Sequence, residues 1–390
     1  MRAALINLGG LPRDGARSAA PLIAGKTIAR RQLEFALAAG CDSVIALGDG
    51  ASAEAIALRH AAEAAGVRFQ AVRDAHGLLG TVRAGDEVLA LAPGLLPEAA
   101  AALDPLSKGK GVLVFPAAVA VAAGFERIDR DRAWAGAMVV GGAQVERLSD
   151  LPADVEPASA LVRIALQASL PERGLSEQVL AHGSWTMPGE GQAVKSYEQR
   201  WLQRHFASAN RWSISEWLAD RALRPAAVRL LDAKHSIEAL ASGAVALVAA
   251  SILLAGYGLA SLGLGLLVPA AGLAHAAGRV CALRAAPFGR LGRWANFQAA
   301  LPALVDLALV ACVALAIEGS WLHRLFPPLV LFGARLTLRE AGGQDWRLLA
   351  GDRGLLAIVL AIAAAFGVAE AATMIIALGM IAASARITRV

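Results

Sequence analysis

The sequence predicts two folds in series: an α/β domain built on a mainly parallel sheet, then an all-α bundle of six transmembrane helices. Short apolar runs alternate with helical patterns through the first 150 residues, whereas residues 237–390 hold long runs almost free of charge. Apolar residues make up 57% of the 390-residue chain and its mean hydropathy is +0.53, so part of it belongs in lipid. The net charge of +5 is modest, and many arginines flank apolar runs, which reads as membrane orientation rather than nucleic-acid binding.

Arg2 to Leu8 is a buried strand that enters a loop at Gly9-Gly10. Lys26 to Ala39 has apolar residues at helical spacing and stops at Gly40. Asp42 to Leu47 reads as a strand, Ser52 to Ala65 as a helix and Val67 to Val72 as a strand, with Glu87 to Ala92 and Gly111 to Phe115 as further central strands. Strands alternating with helices of this length need crossovers, hence a parallel sheet. Gly9 and Gly10 offer N–H groups that approach closely, with Arg13, Arg17 and Lys26 as nearby cations, the ingredients of a phosphate-binding loop. A plain turn and solvated surface charges are the competing reading. Asp129 and Asp131, before Trp134, read as a salt-bridged turn rather than a metal pair.

The order strand, glycine loop, PLIAGKTIARRQLEFALAAG, strand resembles the opening of the sugar-nucleotide and cytidylyl nucleotidyltransferases, over roughly residues 1–150. Leu8-Gly9-Gly10 stands for the nucleotide loop, and Pro21-Leu22 with Gly25-Lys26-Thr27-Ile28 for the second element. The resemblance implies a Rossmann-like fold, CTP as a ligand, and Mg²⁺ held by an aspartate at the end of an apolar strand. Here that strand ends in Ala92-Pro93-Gly94-Leu95, Ala19-Ala20 stands where the family has a lysine, and Asp86 and Glu87 lie at the wrong end. Magnesium prefers hard oxygen ligands, so the expectation is the family's shape without its catalysis.

Residues 151–195 read as a helical connector and 196–236 as an interfacial amphipathic helix. In the latter, Trp201, Phe206, Trp212 and Trp217 interleave with Arg200, Arg204, Arg211 and Arg221, placing arginines toward phosphates. His205 and His235 read as structural or solvent-facing. Cys41, Cys281 and Cys312 show no CxxC spacing, which points to a reduced compartment and away from zinc. MRAALINLGG gives way at once to Pro12, Arg13 and Asp14; without a secretory signal, the first domain is expected in the cytoplasm.

Six spans can be drawn over residues 237–390: Ile237 to Gly256, Gly258 to Ala277, Phe297 to Ile317, Trp321 to Ala334, Gly354 to Val368 and Ala371 to Ala385. A crossing needs about 20 residues, which the first three supply and the last three fall short of. Arg279, Arg284, Arg290 and Arg293 lie between spans two and three, Arg335, Arg339, Arg347 and Arg353 between four and five, and Arg386 and Arg389 in the tail. Positive residues stay inside, so both termini are expected on the cytoplasmic side of the inner membrane. Asp306 is a lone acid within the third span, and such acids are functional candidates.

Six spans after an amphipathic helix, with a glycine-bearing loop between spans two and three, resemble the CDP-alcohol phosphotransferases. That family's signature, Asp-x-x-Asp-Gly-x-x-Ala-Arg followed by Gly-x-x-x-Asp-x-x-x-Asp, implies divalent metal on the CDP diphosphate and a carboxylate base. Laid on this sequence, Gly278 and Gly292 take the glycines, Ala274 and Ala277 the first two aspartates, Cys281-Ala282 the Ala-Arg pair, and Asn296 and Ala300 the last two aspartates. Without the carboxylates neither metal nor base is supplied. Arg279, Arg284, Arg290 and Arg293 remain candidates for a lipid or nucleotide phosphate.

Together the halves resemble the bifunctional enzymes that activate inositol phosphate with CTP and pass it to a lipid alcohol. The expectation is a catalytically degenerate scaffold, regulator or ligand-binding subunit of phospholipid-headgroup biosynthesis, contacting membrane lipid and either a nucleotide or an active pathway enzyme. The resemblance also implies a homodimer through the membrane domain. Two alternatives stay open: an active transferase using Lys26, Arg13 or Asp306, with Mg²⁺ and CTP or a CDP-alcohol, and a transporter-like bundle with a fused binding domain.

Overall fold

The computed structural model describes residues 1–8, 22–152, 155–188, 192–207, 213–289, 294–341 and 351–387. The chain forms two compact units, Met1–Trp201 with Ala286–Gly289, and Leu202–Ala285 with Arg290–Val390.

The first unit is an α/β domain on a seven-stranded sheet. Its strands are β1 (Arg2–Asn7), β2 (Ser43–Leu47), β3 (Arg68–Val72), β4 (Glu87–Leu91), β5 (Gly111–Pro116), β6 (Arg132–Gly141) and β7 (Glu172–Gly174). They lie in the order β3-β2-β1-β4-β6-β5-β7. All run the same way except β6, which pairs antiparallel with β4 and β5. Helix α1 (Ile28–Ala38) starts where Thr27 Oγ1 accepts from Arg30 N at 3.2 Å, and α2 (Ala53–Ala64) where Ser52 Oγ accepts from Ala55 N at 3.1 Å, the usual hydroxyl caps. Helix α3 (Pro157–Gln167) is capped by Glu156 and opens on a proline, whose missing N–H needs no partner there.

Strand β6 is absent from the sequence reading. Its run, RAWAGAMVVG, is buried on both faces, so it shows no two-residue alternation. Gly136 interrupts it at φ +81°, and a Cβ there would sit 3.3 Å from Ala92 Cβ and from both methyls of Leu95.

In place of the single amphipathic helix expected over 196–236 there are three: α4 (Gln192–Ala207), α5 (Ile214–Leu223) and α6 (Ala227–Asp232). Trp212 and Arg211 lie outside the described residues. Trp201 does not face headgroups. It is fully buried, its indole N–H lies 2.9 Å from both oxygens of Glu98, and the Arg31 guanidinium sits 5.0 Å over its ring. Arg31 Nη1 also reaches Glu98 at 2.5 Å and Tyr197 Oη reaches it at 3.4 Å. A buried carboxylate is tolerated only with partners of this kind.

The second unit is helical. Its long elements are α7 (Ser236–Gly256), α8 (Ala260–Ala285), α9 (Trp294–Ala316), α10 (Trp321–Ala341), α11 (Arg353–Ala365) and α12 (Ala369–Ile387). Three of them are long and apolar enough to cross a membrane: Ser236–Gly256, Ala260–Ala285 and, within α9, Ala299–Ala316. Helix α11 has 13 residues, about 20 Å at 1.5 Å per residue, short of the ~30 Å of hydrocarbon. Helices α7 and α8 approach closely because Gly263 has no side chain: a Cβ there would lie 2.5 Å from the Ser251 carbonyl oxygen, the small-residue packing common between membrane helices.

Candidate functional site

Doubly wound sheets bind ligands outside the carboxyl ends of their strands, where the strand order reverses. Here β1 is flanked by β2 on one side and β4 on the other, so that point lies at Asn7-Leu8 and Leu91-Ala92. Gly9, Gly10, Arg13 and Arg17 lie outside the described residues. At the end of β4, Ala92 is 1% exposed. Its N–H donates to Gly136 O at 2.7 Å and its carbonyl accepts from Gln32 Nε2 at 2.9 Å. The position at which the family resemblance calls for a metal-binding aspartate is therefore a packed apolar corner. Asp86, at the amino end of β4, accepts from Arg83 N at 3.0 Å, and that bond is the main reason its carboxyl stays below the usual range. Among the described residues no group of three or more His, Cys, Asp or Glu is placed to hold a metal, and the described end of β4 offers no carboxylate.

Lys26 is already engaged. Its Nζ lies 2.5 Å from Glu34 Oε2, and Arg30 Nε takes the other oxygen at 3.2 Å. Burial lowers the Lys26 pKa and the Glu34 charge opposes that shift.

In the helical unit, Gly278 lies on α8 in the wall of a cleft with Ile237, Ala241, Ala274, Ala277, Cys281 and Leu301. The cleft holds ≈10 Å³ and is almost wholly apolar, the least that admits one water. Ala274 and Ala277, laid on the first two aspartates of the phosphotransferase signature, form its floor, while Asn296 and Ala300 are exposed. Arg279 has its Nε 3.3 Å from Asp220, its Nη2 2.9 Å from the His205 carbonyl and its guanidinium 5.3 Å over Phe206. Arg284 donates from Nη2 to the carbonyls of Leu230, Leu231 and Ala233 at 3.0, 3.1 and 2.6 Å, closing the end of α6, as cations do at helix C-termini. Gly292, Arg293 and Arg290 lie outside the described residues.

Asp306, eight per cent exposed, is twelve residues into α9, about 18 Å along the axis. Arg335 of α10 reaches its Oδ1 at 2.6 Å, and Arg353, the first residue of α11, holds both oxygens at 2.9 Å. Arg335 also donates to the Gly351 carbonyl at 3.0 Å. One carboxylate thus faces two guanidiniums, and Arg353 Nη1 has no bond among the described residues. Arg353 lines a pocket of ≈80 Å³ with Ser215, Glu216, His275 and Gly351. His275 is held from behind, its Nε2 2.9 Å from the buried Asp220. Asp352 caps α11 through Leu355 N at 2.9 Å, accepts from Ser215 N at 3.0 Å and is bonded by the Ser215 hydroxyl.

No protein-family model and no curated protein matches the chain.

The sequence reading took Arg335 and Arg353 as orientation signals and passed over His275, Asp220 and Ser215. Their partners stand 29 to 137 residues away, beyond any local pattern. The available signal was an ionisable side chain inside an apolar helix, which singles out His275 as well as Asp306.

Proposed function

We propose that this is a multi-pass protein of the cytoplasmic membrane, in the phospholipid-headgroup pathway, that keeps the plan of a nucleotidyltransferase fused to a CDP-alcohol phosphotransferase without their metal-dependent chemistry. In this reading α7 to α12 form the membrane domain, with the 13-residue α11 crossing only part of the hydrocarbon, both termini are cytoplasmic, and the protein serves as a ligand-binding or regulatory subunit beside an active relative. The observation that carries it is the Gly278 cleft. Its described wall is apolar and carries no carboxylate where the resemblance would put a metal–diphosphate, and Ala92 stands buried at the corresponding corner of the α/β unit.

The retained function is recognition of a headgroup phosphate by the pocket of Arg353 and His275. Asp306 and Asp220 fix the two side chains from behind, and both side chains line the pocket. A cation fixed by a buried acid binds without first losing side-chain freedom.

The test is purified protein in detergent micelles with CTP, Mg²⁺ and a panel of polyol phosphates, followed by pyrophosphate release. No turnover is expected; turnover above a no-enzyme control would replace this reading with an active transferase.

A further inference from the structure

One cleft of the α/β unit lies apart from the carboxyl edge. It runs along α3 against the 3-10 turn Arg147–Asp150, which leaves the sheet at the end of β6, where Gly141 pairs with Glu87 at the amino end of β4. Its volume is ≈410 Å³, within the roughly 300–1,000 Å³ of small-molecule sites. Leu151, Val155, Ala160 and Ile164 make an apolar floor. Leu151 is tied down by its N–H to Leu148 O at 3.1 Å and by its carbonyl to His76 Nε2 at 3.0 Å.

The charges at the rim are unequal in what they have left to offer. Glu156 uses both oxygens on the first turn of α3, accepting from Ala158 N at 3.1 Å and Ser159 N at 2.6 Å. Glu126 accepts from Ser159 Oγ at 2.8 Å. Arg147 gives one Nη2 to Gln167 at 3.2 Å and retains Nε and Nη1 among the described residues. Arg163 is 76% exposed, with only a 3.9 Å approach to Glu126. The remaining donor capacity is therefore guanidinium, over a hydrocarbon floor; of the two acids that line the cleft, Glu156 is taken up by backbone and Asp150 accepts from Ser149 Oγ at 3.4 Å.

We propose that this cleft is a second ligand site, for a small amphipathic anion: an aromatic or branched aliphatic body on the floor, and one carboxylate on Arg147 and Arg163. Guanidinium matches a planar carboxylate in two-point contact, and the floor rewards an apolar body. The inference does not rest on the reading of the helical unit.

The experiment is isothermal titration of the full-length protein in dodecyl maltoside at fixed ionic strength, with benzoate, acetate and benzyl alcohol as probes. Saturable benzoate binding is expected, with acetate and benzyl alcohol each at least about tenfold weaker, because each lacks one half of the match. Arg147→Gln with Arg163→Gln should weaken benzoate by about tenfold or more without moving the unfolding midpoint, since both side chains are exposed. If the double variant does unfold earlier, Arg163→Gln alone decides, with a smaller loss in the same direction. Benzoate that binds no better than benzyl alcohol, or equally well to the arginine variants, overturns the proposal.

Discussion

Each unit buries an arginine against a carboxylate, and the two clusters are composed differently. In the α/β unit one arginine, Arg31, meets one acid, Glu98, and an indole and a phenol complete the acid's contacts. The contact is one acid to one arginine, and the Glu98 side chain is 5% exposed. In the helical unit one acid, Asp306, meets two arginines, and one of them lines a pocket with an N–H group to spare. The first cluster is enclosed among protein groups, as suits a purely structural pair, whereas Arg353 of the second borders a pocket.

Breaking the Asp306 cluster should have the largest effect. Asp306→Asn removes the acid that the buried Arg335 and the half-buried Arg353 share, and a loss of about 3–5 kcal/mol is expected, read as a lower unfolding midpoint in detergent. Glu98→Gln should cost less, because the amide still accepts from Trp201. Ala92→Asp, which restores the acid at the place suggested by the nucleotidyltransferase resemblance, should also destabilise by on the order of 3 kcal/mol, because that site is dry. It should bring no pyrophosphate release; activity there would undo the account of this corner.

Phosphate sharpens the same contrast. At a hundred times its Kd it should stabilise the protein by about 2.7 kcal/mol, against chloride at equal ionic strength. His275→Gln should weaken the effect and Glu216→Gln, which removes a negative charge from the pocket wall, should strengthen it. Phosphate that stabilises the wild type and the His275 variant equally would detach the pocket from the anion. Gly263→Ala should cost about 1–3 kcal/mol through contact with the Ser251 carbonyl, visible as a lower midpoint.

The smallest effects are titrations in the α/β unit. Burial pushes the Cys41 thiol up to about 12, so the folded state disfavours the thiolate. Stability on this account is intact below the unfolded pKa, near 8.5, and falls as pH rises toward 12, and Cys41 should resist alkylation until unfolding. Asp129 is held at about 2 by hydrogen bonds from Arg132 and the turn. Its contribution is present above the unfolded value, near 3.9, and is lost as pH falls through 2; Asp129→Asn should flatten that part of the acid-unfolding curve.

The α/β class, five of the seven main strands and the six helical runs were legible, since burial of strand and helix faces leaves a period or a length in the sequence. Strand β6 was not, because a strand buried on both faces by small residues carries no alternation. Trp201 was misread for a related reason: aromatic and basic residues interleave as well on a helix docked against protein as on one lying in headgroups, and only Glu98, 103 residues away, distinguishes them.

At the candidate sites the sequence by itself determined the donor chemistry, because residue type sets it: Ala92, Ala274, Ala277, Asn296 and Ala300 offer no carboxylate. Only the tertiary structure decided what the remaining charges do. Lys26, Arg279 and Arg284 are taken up by acids and carbonyls of their own unit, and Arg353 is left with a free edge on a pocket. Whether a cation is available to a ligand depends on which distant groups come within about 3 Å of it, and chain folding alone sets that distance.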